Sequence, residues 1–181
     1  MIFETERLIL RKWKEEDAEN LFLYASNPKI GPNAGWQPHK NIDESLNIIR
    51  NVFLKKPCEY AVCLKEDNKP IGAFSLKLFD PNRTISLEKS DEFELGYWIA
   101  EPFWGKGLIL EAARELMRYA FEDLNMSKAY CRHYDGNTKS KRVIEKLGFS
   151  YVKSMEIDVP LLNEVRMCHV YVLTKEDWQK L

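Results

Sequence analysis

A short turn over residues 104–110, Trp-Gly-Lys-Gly-Leu-Ile-Leu, has the residue spacing best suited to holding a ligand. Gly105 and Gly107 flank Lys106, so the backbone can turn tightly and point its N–H groups outward where a helix begins. The first turn of a helix has unpaired N–H donors and a partial positive charge, which suit a phosphate or pyrophosphate. The pattern predicts a nucleotide-type cofactor and therefore an enzyme. The alternative is a tight turn that only admits the next helix.

Two further segments carry groups that can move protons. Residues 94–99 read ELGYWI and predict a strand that leads into the turn, while residues 137–140 read NTKS and open another helix. The turn does not fit a Walker loop, because Lys106 is followed by glycine rather than Ser or Thr. It does not fit a dinucleotide-binding fingerprint either, because the third glycine is missing.

Together these segments resemble the GNAT superfamily of acyl-CoA-dependent N-acyltransferases. The family's phosphate loop, Gln/Arg-x-x-Gly-x-Gly/Ala, corresponds to residues 104–109, and its second motif to Asn-x-x-Ser at 137–140 followed by EKLGF at 145–149. The opening TERLILR, the GYWI strand and the ending LTKEDW are most similar to the ribosomal-protein N-terminal acetyltransferases that modify alanine and serine. Ile144 stands where many members place a tyrosine that acts as general acid.

The resemblance implies acetyl-CoA as cosubstrate and assigns its contacts. Pantetheine would hydrogen-bond the strand at Trp98, Ile99 and Ala100, whose N–H groups would also hold the tetrahedral oxyanion. Gly96 would help this strand to open, as a bulge does. The pyrophosphate would lie on the loop and the first helical turn, comprising Trp104, Gly105, Lys106, Gly107, Leu108, Ile109 and Leu110.

Asn137 would reach the pantetheine arm, or would serve only as a helix N-cap. Ser140 would protonate the leaving thiolate, or would be a structural residue of the first turn. Trp36 and His39 lie in a loop that would line the acceptor cleft; a packing aromatic and an exposed imidazole are the alternatives.

Glu94 stands where several family members hold a general base on this strand. A general base is useful because the attacking amine must be neutral. The alternatives are a strand carboxylate that faces solvent or pairs with a Lys, a water chain in its place, or another carboxylate among Glu156, Asp158 and Glu164.

Two functions follow. The first is an acetyl-CoA-dependent N-acetyltransferase in which a primary amine, from a protein N-terminus or a small molecule, attacks directly in a ternary complex. The second is a non-catalytic acyl-CoA sensor on the same fold.

Composition predicts one domain over residues 1–181. The 27 basic and 28 acidic residues give a net charge of −1, which predicts no general attraction to nucleic acid or membrane. The N-terminus has early acids and no long apolar core, so we expect no signal peptide and a cytoplasmic protein. Cys131 near His133 and Cys168 beside His169 suggest metal ligands, but we expect small apolar strand residues and no metal. A homodimer is compatible with the resemblance.

Hydrophobic periodicity predicts the element order β-α-α-β-β-β-α-β-α-β-β, an α/β (α+β) domain whose mixed, mostly antiparallel central sheet is flanked by helices. The helix after the Gly-Lys-Gly turn is expected to be a right-handed crossover between two parallel strands. The strands are predicted at 5–13, 59–64, 70–79, 92–99, 128–133, 149–157 and 165–173, with helices at 15–25, 42–55, 108–123 and 138–147 and a polar loop at 80–91.

Overall fold

The fold is built on one eight-stranded sheet, seen in a computed structural model that describes residues 1–78 and 89–181. Most of the predicted polar loop at 80–91 lies outside the described residues, as does the end of the strand predicted at 70–79. The strands are β1 (Phe3–Glu4), β2 (Leu8–Arg11), β3 (Glu59–Leu64), β4 (Pro70–Leu78), β5 (Glu92–Ile99), β6 (Lys128–Tyr134), β7 (Ser150–Val159) and β8 (Glu164–Thr174). The helices are α1 (Ala18–Ala25), α2 (Gly31–Ala34), α3 (Ile42–Ile48), α4 (Leu108–Arg118), α5 (Thr138–Lys146) and α6 (Lys175–Trp178).

The sheet order is β1-β2-β3-β4-β5-β6-β8-β7, and its neighbouring strands are antiparallel except β5 and β6. Helix α4 connects this parallel pair, which confirms the predicted crossover. The mixed, mostly antiparallel sheet flanked by helices is likewise confirmed. No helix of the described ranges is long and apolar enough to cross a membrane.

Helix α4 packs against the sheet through an apolar stripe, which the sequence predicts because apolar residues recur at helical spacing at Ile109, Ala113, Leu116, Ala120 and Leu124. Ile109, Ala113, Leu116 and Ala120 are buried in the larger of two core clusters. Leu124 was expected to continue the stripe but is 38% exposed. The chain leaves α-helical geometry in a π-helical turn at Tyr119–Asp123, and the wider turn rotates Leu124 out of phase with the stripe.

Three short elements are absent from the sequence-based prediction. They are β1, α2 and α6, of two, four and four residues. Periodicity needs several residues to register, and these segments are held by tertiary contacts instead. Strand β1, for example, exists because it pairs with β2 through Phe3 and Leu10.

Strand alternation sends the β5 side chains to opposite faces of the sheet. Leu95 and Tyr97 face the α4 side and join the larger core cluster. Trp98 faces the other side and packs on the smaller cluster, to which α1 contributes Leu21. By the same alternation Glu94 lies on the Trp98 face, so the residues predicted to act together are distributed over both faces of one strand.

Candidate active site

Strands β5 and β6 separate in the middle of the sheet. Their parallel pairing runs from Glu92 opposite Lys128 to Leu95 opposite Cys131 and then stops. Both strands continue past this point, β5 to Ile99 and β6 to Tyr134. The two strands are therefore unpaired with each other beyond Leu95 and Cys131. We call this the β5–β6 opening.

The opening does not depend on a bulge at Gly96, contrary to expectation. Strand β5 pairs with β4 in unbroken register from Phe93 to Ile99, with Gly96 opposite Ser75. The need for glycine is steric, since a Cβ at this position would lie 2.7 Å from the Ser75 Oγ. Pairing with β4 therefore holds β5 straight, and the separation occurs on the β6 side alone.

Backbone direction decides which N–H groups face the opening. The Ala100 N–H donates to the Ile71 carbonyl at 2.9 Å, on the β4 side. Because N–H directions alternate along a strand, the Trp98 N–H also points to β4 and the Ile99 N–H points to the opening. The Ile99 carbonyl shares that direction and accepts the Trp104 indole N–H at 2.8 Å. Of the three predicted donors, Ala100 and Trp98 are thus committed to the sheet.

The Gly-Lys-Gly turn joins the end of β5 to α4. Gly105 and Gly107 have φ angles of 75° and 77°, a left-handed conformation that glycine adopts without strain. A Cβ on Gly105 would meet nothing within 4 Å, and one on Gly107 only the Arg7 guanidinium at 3.7 Å. The turn therefore exposes bare backbone to the space in front of the helix.

The first α4 turn supplies the donors. Gly107 is the N-cap, and the first intrahelical bond runs from the Glu111 N–H to its carbonyl at 3.1 Å. The N–H groups of Leu108, Ile109 and Leu110 precede that bond and have no partner within the helix. Leu108 and Ile109 are buried through their side chains, so only their backbone can serve a ligand. These unpaired N–H groups and the partial positive charge of the helix N-terminus suit an anion.

Trp104 differs from the other residues of the turn because both of its N–H groups donate to protein carbonyls. Its backbone N–H donates to the Glu101 carbonyl at 3.1 Å, and its indole bonds Ile99. The Lys139 ammonium lies 3.5 Å from the centre of the indole ring. Trp104 thus links the end of β5, the turn and α5.

Residues of the N-terminal hairpin contact the turn and the first turns of α4. The Arg7 guanidinium pairs with Glu111 at 2.7 Å and donates to the Lys106 carbonyl at 3.0 Å. Thr5 donates to the same carboxylate at 2.5 Å. These contacts hold down the pKa of Glu111, although burial opposes them. Sequence reasoning missed these contacts, because the two segments that make them, residues 5–7 and 106–111, lie about a hundred residues apart in the chain.

Helix α5 begins beside the opening. The Asn137 side chain accepts the Ser140 N–H at 3.1 Å, so Asn137 is an N-cap. Across the opening, the Tyr97 hydroxyl lies 3.0 Å from the Ser140 Oγ. Burial raises the pKa of Tyr97 well above its ordinary value. Tyr97 was not among the predicted site residues, although the strand motif contains it.

Glu94 lies at the other end of the opening, on the opposite face. It is 3% exposed, and its Oε1 lies 2.7 Å from the Lys77 ammonium and 3.2 Å from the Arg132 Nε. Glu94 is thus a buried strand carboxylate that pairs with a Lys and an Arg and does not face solvent.

Aromatic side chains cover the same face. Trp36 meets Trp98 edge to face, with ring centres 6.0 Å apart, and lies 5.2 Å from the His39 ring. The His39 Nδ1 is bonded to the Ser45 Oγ at 2.7 Å, and burial lowers the pKa of His39. The imidazole is therefore half-buried and partnered rather than fully exposed.

The β7–β8 hairpin approaches this loop from the far side. The Arg166 Nη1 donates to the Pro32 carbonyl at 2.6 Å, and its guanidinium lies 5.4 Å from the Tyr134 ring. The Tyr134 hydroxyl lies 2.7 Å from the position of a Cβ on Gly35. Arg166 also pairs with Glu164, one of the rival carboxylates. These contacts connect the β7–β8 hairpin and β6 to the loop that holds Trp36.

The cysteines show no ligand set. Cys63, Cys131 and Cys168 are buried, and burial raises the pKa of Cys131 to about 12. Within residues 1–78 and 89–181, no group of three or more His, Cys, Asp or Glu side chains is placed to hold a metal ion.

The chain matches a known protein family and several known proteins. The family described as "Acetyltransferase (GNAT) domain" matches residues 7–150. "Uncharacterized N-acetyltransferase p20" of Bacillus licheniformis is 28% identical over 149 residues, covering 80% of each chain. "Putative ribosomal N-acetyltransferase YdaF" of Bacillus subtilis is 36% identical over 108 residues, covering 52% of this chain and 54% of its own.

Solved structures share the whole fold. The acetyltransferase (GNAT family) from Bacillus anthracis superimposes with a TM-score of 0.81 at 22% identity, covering 97% of this chain and 99% of its own. At that identity the likeness concerns the fold.

Proposed function

Because the chain belongs to the GNAT acetyltransferase family, we propose that it transfers the acetyl group of acetyl-CoA to the α-amine of a protein N-terminus. N-acetyltransferase activity and use of acetyl-CoA follow from the family. The acceptor and the residue roles below are our proposal. The observation that carries it is the β5–β6 opening, which has anion donors at one end and Glu94 at the other.

The residues at the Gly-Lys-Gly turn fit a pyrophosphate. The N–H groups of Leu108, Ile109 and Leu110 have no helical partner, and a positive φ at Gly107 leaves the backbone uncovered. Lys106 and Lys139 add positive charge near the turn, where a pyrophosphate needs counterions. Trp104 acts as a positioning residue, since its N–H groups already have protein partners.

We expect acetyl-CoA to raise the melting temperature. At a hundred times the dissociation constant, a ligand that binds only the folded state adds about 2.7 kcal/mol to the free energy of unfolding. Differential scanning calorimetry with acetyl-CoA and CoA measures the shift, and pantetheine, which lacks the pyrophosphate, is the control. A CoA shift no larger than that of pantetheine would contradict a pyrophosphate seat at the turn.

In the proposed reaction the amine nitrogen attacks the acetyl carbonyl carbon, and the C=O electron pair moves to the oxygen. The Ile99 N–H faces the opening and donates to this oxyanion. Collapse breaks the C–S bond and leaves the electron pair on sulfur, toward which the Ser140 hydroxyl donates. The nitrogen loses one proton, through water, to Glu94. The sulfur gains one from solvent, so the products are an N-acetyl amine and a thiol.

An α-amine suits this site better than a Lys amine. An α-amino group has a pKa near 8, so roughly a tenth of it is neutral at pH 7, against fewer than about one in a thousand Lys amines. The Glu94 carboxylate is already engaged in ion pairs with Lys77 and Arg132 before any amine binds. An acceptor that needs little deprotonation therefore fits. The name of the B. subtilis relative, which refers to the ribosome, points in the same direction.

A matched peptide panel tests the proposal. We expect acetyl-CoA-dependent thiol release with peptides that have a free α-amine and an N-terminal Ala or Ser. The same peptides with a blocked N-terminus and an internal Lys should be at least tenfold slower. Faster transfer to the blocked peptides or to polyamines would contradict the α-amine. Thermal stabilisation by acetyl-CoA without thiol release on any amine would instead favour the sensor.

A further inference from the structure

We propose that Tyr97 is a positioning residue for the leaving group: its hydroxyl donates to the Ser140 Oγ and so directs the Ser140 hydrogen to the departing sulfur. The inference rests on the role proposed above for Ser140. It adds a residue from the opposite side of the opening, on β5.

The contact between these two residues spans the opening. The Tyr97 Oη lies 3.0 Å from the Ser140 Oγ and 3.4 Å from the Ser140 carbonyl oxygen. Tyr97 belongs to the part of β5 that has already separated from β6, and Ser140 to the first turn of α5. No other element lies between the two hydroxyl oxygens, since they are at hydrogen-bond distance. A thioester bound along β5 passes this pair.

Both ends of the pair are fixed. The Tyr97 ring is partly buried and tilted on Phe74, with ring centres 5.5 Å apart. The Ser140 backbone is held by the Asn137 cap at 3.1 Å. A side-chain hydroxyl otherwise rotates freely about its C–O bond, so a fixed partner is needed to define where its hydrogen points.

Either hydroxyl can donate at this distance, and we take Tyr97 as the donor because the Ser140 Oγ, at 3.0 Å, is nearer to it than the Ser140 carbonyl oxygen, at 3.4 Å. The Ser140 carbonyl lies in α5, where it accepts a hydrogen bond from the helix backbone. The Tyr97 hydrogen therefore goes to the nearer Oγ. With its oxygen accepting from Tyr97, the Ser140 hydroxyl keeps its own hydrogen for another acceptor. A hydroxyl that accepts one hydrogen bond also becomes a stronger donor.

Burial prevents Tyr97 from acting as an acid. Its raised pKa keeps the phenol protonated throughout the range in which amines react. Because a buried tyrosinate is costly, Tyr97 does not pass its proton on through Ser140. The pair stabilises the thiolate by hydrogen bonding, no proton leaves either residue, and the sulfur is protonated from solvent after the C–S bond has broken.

The test uses Tyr97→Phe, which removes only the hydroxyl, with Ser140→Ala and the double variant. Tyr60→Phe is the matched control: Tyr60 is a buried core tyrosine, and it packs on Phe3 instead of facing the opening. We expect Ser140→Ala to lower kcat about tenfold and Tyr97→Phe about fivefold, with the KM for acetyl-CoA changed less than twofold. The double variant should match Ser140→Ala, because Tyr97 acts through Ser140.

A second measurement requires no acceptor. The ultraviolet absorption of the thiolate reports the pKa of the CoA thiol bound to the enzyme. Ser140→Ala and Tyr97→Phe should both raise this pKa above the wild-type value, and Tyr60→Phe should leave it unchanged. This arm works even if the natural amine differs from the one proposed.

Distinct results overturn the two proposals. The Tyr97 inference would be overturned if the double variant lost kcat by the product of the two single losses. It would also be overturned if Tyr97→Phe left the pKa of the bound thiol at the wild-type value. Neither result would affect the proposed transfer by the wild-type enzyme. A Ser140→Ala enzyme with normal kcat and a normal thiol pKa would overturn both roles. Absence of transfer by wild-type protein, with the thiol pKa still dependent on both residues, would overturn the proposed reaction alone.

Discussion

Replacing Glu94 by Gln should lower kcat/KM by about 10²–10⁴-fold at pH 7 if the carboxylate is the base. The amide has nearly the same shape but cannot accept the amine proton, so the variant must wait for amine that is already neutral. The ascending limb of the pH–rate profile should therefore follow the acceptor itself. An acceptor with a low pKa, such as an α-amine, should lose less than a Lys-type amine.

The substitution should also lower the free energy of unfolding, and this loss must be separated from the effect on catalysis. Gln at this position leaves Lys77 and Arg132 without their carboxylate, and removing one partner of a buried ion pair costs about 3–5 kcal/mol. Because Glu94 is nearly buried but Lys77 is 30% exposed, we expect the lower end of that range. Glu92→Gln is the matched control, since Glu92 is on the same strand face, fully buried and 3.5 Å from Lys128, and lies two residues farther than Glu94 from the point where the β5–β6 pairing ends. It should lose stability without changing the pH–rate profile.

Calorimetry and the pH dependence of kcat/KM, measured on both variants with one acceptor, give the answer. A Glu94→Gln enzyme that loses only stability, with an unshifted profile, would return Glu94 to a structural ion pair. Glu156 and Asp158, which lie exposed on β7, would then be the carboxylates to test next.

Replacing Gly107 by Val should weaken CoA binding by about 10²-fold or more. A side chain here lies in front of first-turn N–H groups that we expect to donate two or three bonds to the pyrophosphate, and bonds to charged groups contribute about 1.5–3 kcal/mol each. The φ of 77° also makes a β-branched residue costly in the apo protein, by about 1–3 kcal/mol. Affinity and stability therefore fall together in this variant.

Gly107→Asn separates the two effects. Asn tolerates the left-handed conformation better than other side chains do, so the unfolding midpoint should change little. Its amide still occupies the space beside the helix N-terminus, where only the Arg7 guanidinium would come within 4 Å of the new Cβ. We expect isothermal titration to show a tenfold or greater loss of CoA affinity with near-normal stability. Unchanged affinity in Gly107→Asn would show that the turn only admits the helix.

Local sequence determined most of the scaffold of this protein. The β3 and β5 strands were predicted at their observed bounds, because alternating or continuous apolar runs bounded by polar turns specify strands by themselves. The position of α4 followed from a Gly-Lys-Gly turn and a helical apolar stripe, and the order strand–helix–strand required a parallel pair. The family resemblance had the same origin, since the motifs that carry it are contiguous in the chain.

Tertiary structure alone decided which of those residues face one another. The opening exists because β6 stops pairing with β5 after Leu95, and neither strand's own sequence encodes where a neighbour departs. Which N–H of the 98–100 segment faces that opening depends on the register with β4, where Ala100 is committed to Ile71. Hydrophobic periodicity also does not predict which side chains from different elements come into contact. The two cations on Glu94 and the hydroxyl of Tyr97 on Ser140 come from separate elements, and only folding brings their charges and donors within hydrogen-bond distance.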